Sequence, residues 1–173
     1  MNIEDFFTKG FTHTNDSEVF KPIESIFDHI VWYKNPAKQD VLYTEKNKHL
    51  QQALDSTMNL LGEKYVSMIS PKFSTGYCDM WNGVDDGTDK WHNDGREGPN
   101  LFFILYFNSM NESTGGGIGF RETQTKKETG FIWPQKYDVL MGSQRPQYEH
   151  LVEHLNKPVE RTVANFGFSV EGF

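Results

Sequence analysis

The sequence predicts a mainly β core buttressed by helices, built as a sandwich or a jelly roll. Three observations predict it. Apolar residues recur at helical spacing in the first third of the chain. After Gly62 they fall instead into about eight short runs bounded by Gly, Asn, Asp and Pro clusters. No linker, internal repeat or low-complexity stretch interrupts them, so residues 1–173 read as a single domain.

The first predicted helix covers residues 17–33. Val19, Phe20, Ile23, Ile26, Phe27, Ile30 and Val31 share one face, Asp16 or Ser17 serves as N-cap, and Asn35-Pro36 ends the segment. The second covers residues 45–61, with Leu50, Leu54, Met58 and Leu61 as its apolar stripe and Gly62 as its C-cap. Both stripes read as core. Strands are expected at 64–70, 74–81, 101–108, 117–121, 130–134, 138–141 and 161–170.

Strand parity assigns faces. In the last strand Arg161, Val163, Asn165 and Gly167 share one side, and Thr162, Ala164, Phe166 and Phe168 the other. The aromatic side needs a cover, which the helices offer, so Arg161 points into the barrel. A buried arginine without a partner is costly, and an anionic ligand is its natural occupant. Phe102, Ile104, Tyr106 and Asn108 likewise share a face. There the Tyr106 hydroxyl needs a polar partner, for which a ligand carboxylate is a candidate.

Composition bounds the function. With 173 residues the chain can bury a sizeable core. A net charge of −7 argues against a protein that lives on nucleic-acid phosphates. The single cysteine, Cys78, excludes an intramolecular disulfide and fits a reducing cytoplasm. The N-terminus is acidic where a signal peptide is basic, and the longest apolar run, 101–107, is far short of a membrane span. A cytoplasmic protein with no membrane partner is expected.

The most specific chemical statement is Trp91-His92-Asn93-Asp94, answered by His150 and then by Arg161. Two imidazoles and one carboxylate cap one face of a six-coordinate metal and leave the other positions open, the donor set of non-haem Fe(II) oxygenases. On a strand His92 and Asp94 face the same way, with Cα atoms roughly 6.5 Å apart. Arg161 can hold a co-substrate carboxylate as a two-pronged pair. His154 competes with His150 as the distal ligand; its alternative is a surface histidine beside Lys157-Pro158. Other features read structurally. His13, His29 and His49 lack a ligand partner at suitable spacing. The acidic run 85–89 lacks the later glutamate of a calcium loop and reads as a loop flanking the site. Gly115-Gly116-Gly117 has no Lys-Ser/Thr behind it and reads as a hairpin turn. Trp91 faces away from His92 and packs. Arg145 and Tyr148 either line the entrance or serve structure.

These residues resemble the Fe(II)/2-oxoglutarate-dependent oxygenase superfamily, especially its prolyl-4-hydroxylase-like branch. Four segments between roughly Tyr65 and Phe168 carry the resemblance: His92-Asn93-Asp94; Ile104-Leu105-Tyr106-Phe107-Asn108 with Gly115-Gly116-Gly117-Ile118-Gly119-Phe120; Asp138–Ser143 leading to His150-Leu151-Val152; and Arg161-Thr162-Val163. The H-x-V pattern favours His150 over His154. The resemblance implies a double-stranded β-helix (jelly roll) with two N-terminal helices packed on one sheet. It implies Fe(II) held by His92, Asp94 and His150, and 2-oxoglutarate as co-substrate with its far carboxylate on Arg161, helped by Tyr106. It further implies consumption of O2, release of succinate and CO2, ascorbate as reductant, and hydroxylation of a peptide side chain, prolyl-type, or of a small molecule. Departures are the valine of Arg161-Thr162-Val163, where many members carry a hydroxyl residue, and Trp81, near where prolyl hydroxylases carry a tyrosine. Two other readings compete. An AlkB-like oxidative nucleic-acid demethylase carries a second arginine where this chain has Gly167. A non-catalytic cupin-like metal-binding module has no reason to retain the full residue set.

Overall fold

The structure is a computed structural model that describes all residues except 36–37, 45–46, 84–89, 95–98, 157–158 and 172–173. It opens with a helix the apolar pattern did not announce, α1 (Ile3–Lys9). The Asn2 side chain caps its start by accepting from Glu4 N–H. Gly10 ends it at φ 82°, a left-handed turn that glycine adopts without strain. The chain then enters β1 (Phe11–Asn15).

The predicted helix 17–33 is broken. A 3-10 turn (Ser17–Phe20) leads into a four-residue helix, α2 (Lys21–Glu24), a second 3-10 turn (Phe27–His29), and then β2 (Trp32–Asn35). Pro22 explains the break. Inside a helix begun at residue 17 it would remove one ladder bond and clash with the turn before it. In the first turn of a new helix it costs nothing. Most of the apolar set survives the change: Val19, Phe20, Ile23 and Ile30 are buried and Ile26 and Phe27 partly so, but Val31, carried past the helical turns, is 55% exposed. β3 (Lys38–Thr44) follows, also unpredicted.

The second helix is α3 (Lys48–Lys64), capped by Asn47, whose side chain accepts from the N–H groups of His49 and Leu50. Gly62 is not its C-cap. It lies inside the last turn, where the Phe73 ring covers it so closely that a Cβ would stand 2.8 Å from the ring. The strand predicted at 64–70 is the end of α3 followed by a 3-10 turn (Val66–Met68), with Tyr65 and Val66 buried.

The remaining strands are β4 (Phe73–Gly83), β5 (Leu101–Tyr106), β6 (Ile118–Glu122), β7 (Glu128–Ile132), β8 (Asp138–Ser143), β9 (Tyr148–Val152) and β10 (Arg161–Val170). All described pairings are antiparallel. A seven-stranded sheet runs β1-β8-β5-β10-β4-β3-β2, and a three-stranded sheet runs β7-β6-β9.

Two apolar layers result, and strand parity separates them as expected. Leu101, Phe103 and Leu105 of β5, with Ala164, Phe166 and Phe168 of β10, pack with Leu50, Leu54 and Leu61 of α3. The opposite faces of the same strands, through Phe102, Tyr106 and Val163, pack with Ile118 and Phe120 of the small sheet. Each fully buried side chain of this size contributes about 1.5–3 kcal/mol. Among the described residues no helix is long and apolar enough to cross a membrane.

Candidate metal centre

His92 does not sit on a regular strand. It forms an isolated antiparallel bridge with His150 of β9: His92 N–H donates to the His150 carbonyl at 2.9 Å, and His150 N–H to the His92 carbonyl at 2.8 Å. Residues directly opposite in an antiparallel pair project to the same side. The two imidazoles therefore lie together, with ring centroids 4.4 Å apart. Asp94, two residues on, reaches both. Its Oδ1 is 3.4 Å from His92 Nε2, and its Oδ2 is 3.4 Å from His150 Nε2. One ligand atom from each of the three residues lies within 4.8 Å of the others. Cis ligands of an octahedral ion with bonds of about 2.1 Å stand roughly 3 Å apart. The separations and the two-nitrogen, one-carboxylate donor set therefore fit Fe(II) with positions left open.

The environment prepares each candidate ligand differently. His150 is buried against Phe102 and Phe120, at 5.3 Å and 6.3 Å between ring centroids. Burial pushes its pKa down to about 4; the Asp94 carboxylate opposes this and His92 adds to it. It is therefore neutral at pH 7, the form that ligates. His92 is pushed up, first by its hydrogen bond to Asp94, against burial. Asp94 is held below the usual carboxylate range, first by His92, with burial working the other way. His92 Nδ1 faces the Lys90 carbonyl at 2.8 Å, so Nδ1 carries a proton there, and it is the Nε2 proton shared with Asp94 that a metal ion would displace.

Arg161 is 2% exposed at the start of β10. Its Nη1 donates to the Gly116 carbonyl at 3.4 Å, and its guanidinium lies 5.5 Å from the centre of the Trp81 ring. Tyr106 is also buried, opposite Val163 in the β5–β10 register. His154 is not part of the ligand group; its backbone carbonyl accepts from Gly116 N–H. Trp91 packs outside the small sheet, over Gly119 and under the Arg121 guanidinium at 4.4 Å. Tyr148 is structural: its ring covers Gly10 and its hydroxyl donates to the Phe7 carbonyl at 3.0 Å. The acidic run 85–89 lies outside the described residues. Sequence reasoning missed Gln144, a buried residue whose Nε2 donates to Asp94 Oδ2 at 3.4 Å. No local motif marks it.

No protein-family profile matches the sequence, and no curated protein matches it. Solved structures do match. An oxidoreductase of the 2OG-Fe(II) oxygenase family from Burkholderia pseudomallei superposes with a TM-score of 0.72 at 13% identity, over 96% of this chain and 87% of that one. The fold is that of the 2OG-Fe(II) oxygenases. HygX from Streptomyces hygroscopicus, solved with nickel, 2-oxoglutarate and hygromycin B bound, gives a TM-score of 0.66 at 10% identity, over 99% and 87% of the two chains. A prolyl hydroxylase from Trichoplax adhaerens, in complex with a hypoxia inducible factor peptide fragment, gives 0.58 at 14% identity, over 96% and 86%. The jelly roll with helices on one sheet, which the strand pattern left open against a sandwich and the family resemblance implied, is thus the architecture the chain shares with these structures.

Proposed function

We propose that the protein is an Fe(II)- and 2-oxoglutarate-dependent oxygenase that hydroxylates a peptide side chain, prolyl-type, or a small molecule. The observation that carries this reading is the joining of His92, Asp94 and His150 into one donor group on a barrel whose interior also buries Arg161. His92 Nε2, Asp94 and His150 Nε2 would hold the iron, and Arg161 would pair with the far carboxylate of 2-oxoglutarate, aided by the Tyr106 hydroxyl. When bound, the iron supplies oxygen activation coupled to decarboxylation of 2-oxoglutarate to succinate.

The chain's own residues do the positioning. Arg161 stands in a buried interior, where an ion pair of its guanidinium with a dicarboxylate gains most from the low local dielectric. Phe102, Phe120 and Val163 exclude water between the sheets. His150 is buried, whereas the Asp94 side chain is 48% exposed, so a substrate approaches from the Asp94 side. The structural neighbours with a peptide and with hygromycin B bound support a side chain or a small molecule as that substrate.

Anaerobic addition of Fe(II) and then 2-oxoglutarate is expected to give a weak visible charge-transfer band, and succinate is expected once air is admitted. His92→Ala and His150→Ala should abolish the band, and His154→Ala should keep it. Absence of both band and succinate in the native chain overturns the reading. Loss of the band in His154→Ala alone moves the distal ligand.

A further inference from the structure

We infer that Asn93, the residue between His92 and Asp94, is a positioning residue that locks the two halves of the metal face together. The inference rests on the ligand reading above. His92 and Asp94 come from one segment and His150 from β9, far away in the chain. The backbone bridge between His92 and His150 is a single pair with no ladder continuing from it. It fixes His92, while Asp94 lies beyond it.

Asn93 supplies the missing tie. Its Nδ2 donates to the carbonyls of Arg145 at 2.9 Å, Tyr148 at 2.9 Å and Gln144 at 3.2 Å. These carbonyls belong to the connection from β8 to β9 and to the first residue of β9, Tyr148, whose N–H donates back to the Arg145 carbonyl at 3.1 Å. The Asn93 amide therefore plugs the inside of the turn that leads directly to His150. An amide nitrogen has two protons for three oxygens, so one proton is shared. The tie is returned: Gln144, whose carbonyl accepts from Asn93, donates through Nε2 to Asp94 Oδ2. Asn93 and Gln144 thus bracket Asp94 from its own backbone and from across the site.

The bracket asks for one residue type. Alanine removes the donors. Aspartate has the right length but sets a carboxylate oxygen against three carbonyls. The two substitutions separate positioning from electrostatics, because aspartate also adds negative charge beside a cation site.

The test is Co(II) titration of the full chain, followed by the visible absorption of the ion, with His92→Ala as control. Asn93→Ala is expected to bind Co(II) more weakly by on the order of 10-fold, the usual effect of removing a group that orients a ligand. Asn93→Asp is expected to weaken binding as well, despite its added charge. Without Co(II), amide exchange at His92 and His150 should quicken in both variants while that of β5 and β10 stays unchanged. Asn93→Ser, which keeps one donor, should fall between and serves if the other two fold poorly. Native affinity in Asn93→Ala, or tighter binding in Asn93→Asp, overturns the inference while leaving the ligand reading intact. Failure of the native chain to bind Co(II), or binding unaffected by His92→Ala, overturns both.

Discussion

Arg161 illustrates what one side chain can say. A guanidinium 2% exposed is expensive to place, and strand parity alone puts it on the inward face of β10. His92 and Asp94 were legible as candidate ligands for a different reason: a histidine and a carboxylate two residues apart carry their own signature. Asn93 and Gln144 were not legible. Their partners are backbone carbonyls and a carboxylate some fifty positions away, and carbonyl acceptors leave no mark on a sequence. If Arg161 holds the co-substrate, Arg161→Met should retain Fe(II) binding and lose 2-oxoglutarate affinity by on the order of 10- to 100-fold, the worth of a charge-assisted pair. Arg161→Lys should lose less, since it keeps the charge but not the planar fork. Titrating the visible band with 2-oxoglutarate at fixed Fe(II) measures both, and unchanged affinity in Arg161→Met removes arginine from the co-substrate site.

At the scale of elements, hydrophobic pattern located buried residues better than it located conformation. The 17–33 segment buries Val19, Phe20, Ile23 and Ile30, leaves Ile26 and Phe27 partly buried and Val31 exposed, and is two 3-10 turns, a short helix and a strand, because Pro22 forbids one continuous helix. The 64–70 run is apolar enough for a strand, but α3 continues through Lys64, and Tyr65 and Val66 are buried from a helical ending. Apolar periodicity in short runs does not separate a strand from a helical turn; the neighbouring element decides. One strand pairing bears directly on the site. Gly142 of β8 lies opposite Phe102 of β5, and a Cβ there would stand 2.1 Å from the Phe102 ring. That ring is 5.3 Å from the His150 ring. Gly142→Ala must displace the Phe102 ring, which neighbours His150, and we expect a loss of about 1–3 kcal/mol, the usual cost of overpacking. Urea unfolding measures the loss, and the His150 ring proton shifts report the displacement. A variant with native stability and native shifts would show that Phe102 can move away freely.

At the scale of the whole molecule, stability depends on how the helical layer is tied to the large sheet, and one carboxylate adds a polar tie to the apolar packing between them. Asp16 follows β1 at the sheet edge, and its N–H donates to the Tyr137 carbonyl before β8. Its side chain accepts from Glu18 N–H, and also from Lys64 Nζ and Tyr65 Oη at the end of α3. Tyr65 in turn packs on Phe103 of β5. Burial alone would raise the Asp16 pKa, but these hydrogen bonds outweigh it and hold the carboxyl below its usual range. The Lys64 bond lowers it most and the Tyr65 bond next, though the Lys64 side chain is 46% exposed and solvent screens part of its charge. A carboxylate whose pKa is lowered by folding stabilises the fold above its unfolded pKa, near 3.9, and loses that contribution as pH falls through the folded value. Asp16→Asn keeps the bond to Glu18 N–H but turns an amide nitrogen toward two donors. At pH 7 it should cost about 1.5–3 kcal/mol, the range for hydrogen bonds to a charged group. Urea midpoints of both proteins across the acid range should converge as pH drops below 4, because protonation removes from the native chain what the substitution has already removed. A gap that stays constant from pH 7 to the acid limit would mean that the tie is steric and that the charge on Asp16 contributes nothing.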